Sequence, residues 1–112
     1  MTNVIIDEDI TSIPKETFKG FNVMTSINIP STVTTIKSIN AFDGCNSLKE
    51  INVNANNEQY ESDGGVLIDK VNHILMKYPV AKEGTSYEIP SDVTVLGESS
   101  FEGSSLLTVM RI

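Results

Sequence analysis

Residues 24–53 read MTSINIPSTVTTIKSINAFDGCNSLKEINV. The stretch opens and closes on one apolar skeleton, Met24-x-x-Ile27-x-Ile29 and Leu48-x-x-Ile51-x-Val53, which returns as Leu107-x-x-Met110-x-Ile112. Apolar residues two apart fall on one face of a strand. Between the copies lie Pro30, Val33 and Ile36, and then Ala41-Phe42-Asp43-Gly44-Cys45-Asn46. This second piece also recurs, as Thr17-Phe18-Lys19-Gly20-Phe21-Asn22 and Ser100-Phe101-Glu102-Gly103-Ser104-Ser105. A Phe two residues before Gly predicts a short helical or 3₁₀ turn, its ring inward and its Gly closing the corner.

Working outward, the last apolar residue of each strand gives the markers Ile6, Ile29, Val53, Ile89 and Ile112, at intervals of 23, 24, 36 and 23. A period of this size falls in the roughly 20–29 residue range of leucine-rich repeats, whose units stack so that equivalent strands pair in parallel. Five such rungs would make one sheet roughly 20 Å wide. A second short strand per unit is expected at Asp9 to Ser12, Val33 to Ile36 and Val93 to Leu96, with Pro30 and Pro90 at strand exits where a missing N–H is tolerated. The long third interval lacks the Phe-x-Gly turn. Instead, Val66-Leu67-Ile68 and Ile74-Leu75-Met76 flank the polar Asp69-Lys70-Val71-Asn72-His73, which reads as a β-hairpin preceded by the turn former Ser62-Asp63-Gly64-Gly65. The hairpin is expected to lie on the solenoid through one apolar face and to rejoin the regular path at Tyr87-Glu88-Ile89-Pro90. The expected fold is therefore mainly β: a leucine-rich repeat parallel β-solenoid with short helical turns and one inserted β-hairpin. It forms a single unit over residues 1–112 with repeat intervals 6–29, 29–53, 53–89 (hairpin 66–77) and 89–112.

Composition agrees. Ile and Val number 13 and 10 against 6 Leu, which favours strands, and Ser, Thr and Asn supply 32 of the 112 residues, which favours turns. The net charge of −7, from 15 acids against 7 Lys and one Arg, repels phosphate and argues against nucleic acid and anionic membrane partners. Apolar runs reach only three residues, as at Val4-Ile5-Ile6, so no membrane insertion is expected. Met1 to Asp9 lacks the basic and apolar regions of a secretory signal. A single cysteine forms no internal disulfide.

The repeated residues resemble the BspA-type (Treponema pallidum-type) leucine-rich repeats, whose pattern is roughly Ile-Pro-x-x-Val-x-x-Ile-x-x-x-Ala-Phe-x-Gly-Cys-x-x-Leu-x-x-Ile. Ile29 through Ile51 matches most fully, with Ala41, Phe42, Gly44, Cys45 and Leu48 in place and one extra residue between Ile36 and Ala41. Ser104 and Phe21 stand at the Cys position in the fourth and first units, and Asp7 replaces Pro in the first. Tyr60 to Pro79 is similar to the hairpin-bearing unit that interrupts such arrays. The Asn ladder of ordinary leucine-rich repeats is not repeated, since Thr32 and Asp92 stand where Asn56 alone qualifies. The resemblance implies surface adhesion and protein recognition without a common catalytic site. It implies an extracellular or cell-surface location and a protein or glycan ligand, host molecules among them. Neither end reads as a cap, so a longer array or self-association through the ends is expected.

The residues offer little chemistry of their own. His73 and Cys45 are single, one in the hairpin connection and one at an inward turn position, and an apolar buried thiol is poorly activated. One of each assembles no zinc site. Asp7-Glu8-Asp9 lacks the spaced ligands of a Ca²⁺ loop and reads as a solvated turn. Asp63-Gly64-Gly65 has no following helix or Lys, as a phosphate loop requires. No enzyme activity, metal or cofactor is expected. Binding is the better reading, because the alternate strand residues face solvent in two columns: Asn3, Ser26, Glu50, Ser86 and Val109, and Ile5, Asn28, Asn52, Glu88 and Arg111. The candidate contact residues are Ser26, Asn28, Glu50, Asn52, Ser86, Glu88 and Arg111; Tyr60, Tyr78 and the hairpin read equally as another contact surface or as packing. Two further readings stand beside this one: a plain solvated sheet face, and a structural spacer that stacks through its open ends.

Overall fold

The computed structural model describes residues 2–14, 16–36, 39–97, 100–104, 107 and 109–111, with the backbone alone for 39–40 and 109–111. The first part is two regular coils built from β1 (Thr2–Ile5), β2 (Ser12–Ile13), β3 (Met24–Ile29), β4 (Thr35–Ile36), a 3₁₀ turn at Ile39–Phe42 and β5 (Glu50–Val53). Strands β1, β3 and β5 lie side by side in parallel, with Asn3, Ser26 and Glu50 in one row and Ile5, Asn28 and Asn52 in another. The β2 and β4 pair makes a second wall, also parallel. Alternation decides which side chains go inward: Ile27 and Ile29 are buried, whereas Ser26 and Asn28 are half exposed. The second-wall strands start later than the apolar spacing suggests, at Ser12, Thr35 and Val95. The residues just after each strand exit are used in turns, in which the N–H groups of Ile10, Val33 and Val93 donate to the carbonyls of Asp7, Pro30 and Pro90.

The Phe-x-Gly piece forms the corner. Phe18 and Phe42 stack with ring centroids 6.0 Å apart and planes 9° from parallel. Gly44 has φ of 77°, and a Cβ there would lie 3.1 Å from the Cα and N of Gly20. Gly20 in turn donates its N–H to Asp43 O at 2.7 Å. Glycine recurs because two coils touch backbone to backbone at this point, and because φ is positive.

The third coil departs from the repeat. Its strands β6 (Tyr60–Asp63), β7 (Val66–Asp69) and β8 (Ile74–Lys77) form an antiparallel meander, followed by β9 (Ser86–Glu88), β10 (Val95–Leu96) and β11 (Val109–Arg111). The turn at Ser62 to Gly65 thus joins two strands of the insertion and does not merely precede a hairpin. The Asp69 carboxylate closes the other turn by accepting from the N–H groups of Val71 and Asn72 at 3.1 and 3.0 Å, the Asn72 amide at 2.9 Å and the Gln59 amide at 2.9 Å.

The meander does not lie on the solenoid through a single apolar face. Leu67 and Met76 pack with Ile27, Phe42, Ile51 and Tyr60 in one core, whereas Val66, Ile68, Leu75 and Tyr78 pack with Tyr87, Ile89, Val93 and Phe101 in another. All four residues of β7 are buried. A strand apolar on both faces is suited to burial between layers, and here it divides the interior into two cores.

The expected five-rung sheet is accordingly split. Strands β9 and β11 pair in parallel as a separate sheet. The outer side of β5 is met by the insertion: Ile51 N–H donates to Gly65 O at 2.9 Å, and Ser62 Oγ donates to Ile51 O at 2.6 Å. On the second wall β8 pairs in parallel with β10 and so supplies the rung that the third coil would otherwise lack. Tyr78 fills the place of the missing Phe, with its ring centroid 5.3 Å from those of Phe101 and Tyr87.

Candidate recognition surface

The two solvent columns form in register but in two blocks. Asn3, Ser26 and Glu50 align on one sheet, and Ser86 pairs with Val109 on the other. Likewise Asn28 and Asn52 lie beside Ile5, while Glu88 pairs with Arg111 through the backbone. The side chains of Val109 and Arg111, and the marker Ile112, lie outside the described residues. Within the first block the polar groups hold one another: Ser26 Oγ and Asn28 Nδ2 both donate to Asn3 Oδ1, at 2.6 and 3.0 Å. Ile5 stands out on this face at 74% exposed.

Where the sheet ends, a groove of about 600 Å³ opens, lined by Ser26, Lys49, Glu50, Gly64, Lys82 and Glu83 among others. The chain returning from the meander makes its far wall, since Ala81 N–H donates to Leu48 O at 2.8 Å. Gly64 lines the groove without a side chain, and at the neighbouring Gly65 a Cβ would meet Glu50 Cβ at 3.0 Å. Lys49 Nζ lies 3.8 Å from Glu83 Oε1 across the groove, both side chains being more than half exposed. Lys82 Nζ sits 5.9 Å from the centroid of the Tyr78 ring. The period points to Ser26 and Glu50 but not to Lys49, Lys82 or Glu83. Those three come together because the interrupted coil returns beside Leu48, and the 23-residue spacing carries no signal of that return.

The tyrosines offered as a second contact surface are packed inside. Tyr60 is 4% and Tyr78 2% exposed. The Tyr60 hydroxyl accepts the Ile36 N–H at 2.8 Å, on the edge of β4 that no strand among the described residues covers. Burial raises the pKa of both phenols above the ordinary value.

Cys45 is buried, and its Sγ donates to Phe18 O at 3.1 Å in the preceding coil. Burial raises its pKa, the opposite of what a nucleophile needs. Its counterpart Ser104 has a buried hydroxyl with no hydrogen-bond partner, standing where the coil before it has no Phe-x-Gly turn to offer a carbonyl. His73 is exposed at φ 61° in the meander turn, and its carbonyl accepts from Thr94 and Val95. Asp7 uses its carboxylate on the Asp9 N–H at 2.8 Å, as a turn residue does. Among the described residues no group of three His, Cys, Asp or Glu could hold a metal ion, and no helix is long and apolar enough to cross a membrane.

At the turn where Asn56 alone would qualify for a ladder, the asparagine that bonds to a neighbouring coil is Asn57. Its amide donates to the carbonyls of Pro30 and Val33, both at 2.9 Å, and its Oδ1 accepts from the N–H groups of Gln59 and Tyr60 at 2.9 and 2.8 Å. Asn56 is exposed and turns back on Asn54. One coil earlier a comparable contact is made by Thr32 of the second coil, whose hydroxyl donates to Ile10 O of the first at 2.8 Å.

Parallel rungs at a 23-residue period, a glycine-on-glycine corner and an exposed polar face define a leucine-rich repeat solenoid. More narrowly, residues 1–64 match the model for the BspA type leucine rich repeat region, and the chain belongs to that family. Its fold is similar to that of a leucine-rich repeat protein from Eubacterium ventriosum, at a TM-score of 0.89 and 32% identity, covering 98% of this chain and 29% of that one. It is also similar in fold to the pneumococcal vaccine antigen PcpA, at a TM-score of 0.78 and 23% identity over 97% of this chain and 33% of that one. A leucine rich cell surface protein from Faecalibacterium prausnitzii aligns at a TM-score of 0.65 and 21% identity over 98% of this chain and 41% of that one. The chain thus spans less than half the length of each of these structures. No curated protein sequence matches it.

Proposed function

We propose that this chain is a non-catalytic recognition module, part of a longer repeat array in a microbial surface or secreted protein, that binds a protein or glycan ligand, host molecules included. The observation that carries the reading is the first sheet's exposed face, where side chains from three strands stand in register and Asn3 already holds Ser26 and Asn28 in place. A preorganised face loses little freedom on binding. Two proteins of the same fold support the setting, one being a vaccine antigen and the other a cell surface protein. The test is binding of the folded chain to an array of extracellular-matrix proteins and oligosaccharides, repeated with Glu50→Lys and Glu88→Lys. Binding that these changes abolish while circular dichroism stays native supports recognition. No binding to any member overturns it.

The alternative, a spacer that stacks through its ends, is favoured by one contrast: Ile10 and Phe21 are 41% and 38% exposed, while their counterparts Val33 and Cys45 one coil on are buried. Light scattering that shows association abolished by Ile10→Asp, with no ligand found on the array, would replace the first reading with this one.

A further inference from the structure

The groove at the break in the sheet differs from the rest of the exposed face. Beside it Ser26 and Asn28 bond to Asn3, and a shallower depression runs past Ile5, Asn28 and Asn52; here the surface is more deeply concave, with a volume of about 600 Å³, within the range of sites that hold small molecules or short oligomers. Its side chains carry many polar groups over a surface that is about half apolar: Asn3, Thr25 and Ser26 offer amide and hydroxyl groups, and Lys49, Glu50, Lys82 and Glu83 offer two ammonium and two carboxylate groups. The formal charges sum to zero on a chain whose net charge is −7. A locally neutral groove neither attracts a polyanion nor repels an uncharged ligand. Side chains of these kinds, Lys, Glu and Ser, are depleted at the cores of protein–protein interfaces, which are enriched in aromatic residues, Met and Arg. What such a lining matches is a ligand dense in hydroxyl groups, each able to donate to a carboxylate and accept from an ammonium or amide.

From this we infer that the groove between Ser26, Glu50 and Lys82 binds a short stretch of neutral glycan. The inference rests on the recognition reading and narrows its ligand class. The Lys49 and Glu83 pair, at 3.8 Å and largely exposed, is a loose contact that opens to sugar hydroxyls at little cost. Gly64 lines the groove without a side chain, and the space where its Cβ would stand is open. The Tyr78 ring that Lys82 covers is buried, so it offers no stacking platform, and single-site affinity is expected to be weak, about millimolar.

The probe is a panel of neutral trisaccharides, of β-1,3-glucan, β-1,4-glucan, chitin and mannan type, titrated into ¹⁵N-labelled protein and followed by amide chemical shifts. The expected result is saturable shifts at Ser26, Lys49, Glu50, Gly64 and Lys82 with at least one member. Glu50→Gln and Lys82→Ala should each weaken that binding about tenfold, as loss of a hydrogen bond to a charged group does. Asp92→Asn, at an exposed position that does not line the groove, should leave it unchanged. If one variant unfolds, the other and Glu83→Gln carry the comparison. Binding confined to matrix proteins, or to sulfated polyanions, overturns the glycan assignment and leaves the recognition reading standing. No binding by any sugar or protein overturns both.

Discussion

The second coil and the third fill the same length of solenoid by different means. The second pairs its two strands in parallel with the coil before it, turns its corner on Phe42 and Gly44 and leaves its inner face to one core. The third sends three antiparallel strands through the interior, takes its second-wall rung from β8 and its corner ring from Tyr78, and faces two cores at once. A coil need not repeat its neighbour's sequence to stack on it, because what stacking requires is a paired edge and a covered apolar face. The insertion supplies both: its turn at Ser62 to Gly65 meets the edge of β5, and its alternating side chains cover what lies on either side.

The largest effect that would test this equivalence is loss of the substitute ring. Tyr78→Ala removes an aromatic side chain in contact with Tyr87 and Phe101 and should cost about 3–5 kcal/mol, as large-to-small changes at buried aromatics do. Urea unfolding measures it. A cost under 1 kcal/mol would mean that Tyr78 does not stand in for the missing Phe. The division into two cores is sharpened by neighbours on one strand. Leu67→Ala and Ile68→Ala should each cost about 2–5 kcal/mol, but through opposite faces. Hydrogen exchange should quicken around β3 and β5 for Leu67→Ala and around β9 for Ile68→Ala. Identical exchange patterns would show one core. Asn57→Ala comes next, at about 2–3 kcal/mol, because it leaves the carbonyls of Pro30 and Val33 and two backbone N–H groups without their partner. The same change at the exposed Asn56 should fall within about 0.5 kcal/mol.

This difference between neighbouring asparagines marks where the sequence stops being legible. Periodicity places Ile27, Ile29, Phe42, Cys45 and Leu48 inward, because the coils that contain them repeat and each residue's surroundings are its own counterparts one coil away. The interrupted coil has no counterpart to compare with. Val66-Leu67-Ile68 reads as a strand from its branched residues, yet nothing in three apolar residues says whether one face or both are buried, and the pairing partner Tyr60-Glu61-Ser62-Asp63 looks polar because its hydroxyls and carboxylate serve β5, Ile36 and Tyr87. The candidate face is legible in the same partial way. Its rows follow from alternation. The groove at their end depends on a return of the chain beside Leu48 that only the folded insertion creates.

The smallest effect separates the two regions by pH. All three tyrosines of the chain belong to or touch the interrupted coil, and each has a pKa raised above the ordinary 10.0. For Tyr87 the causes are burial first and then the hydrogen bond to Asp63, whose carboxylate accepts the phenol at 2.8 Å. A group that holds its proton more tightly when folded contributes stability that is fully present below the unfolded pKa. That contribution is lost as pH rises above it, since the unfolded state then releases the proton first. Stability should therefore fall from about pH 10 upward as the unfolded phenols ionise. The buried thiol of Cys45, in the regular part, begins the same loss from its ordinary 9.0. Lys77 acts in the other direction, because burial lowers its pKa and stability gained by deprotonation accrues below 10.5. Tyr87→Phe should cost about 1 kcal/mol at neutral pH, through the lost hydrogen bond, and make the alkaline decline shallower. Unfolding midpoints measured at pH 7, 9 and 10.5 for the parent and the variant check both parts. An unchanged alkaline slope would remove Tyr87 from the groups that set the pH sensitivity.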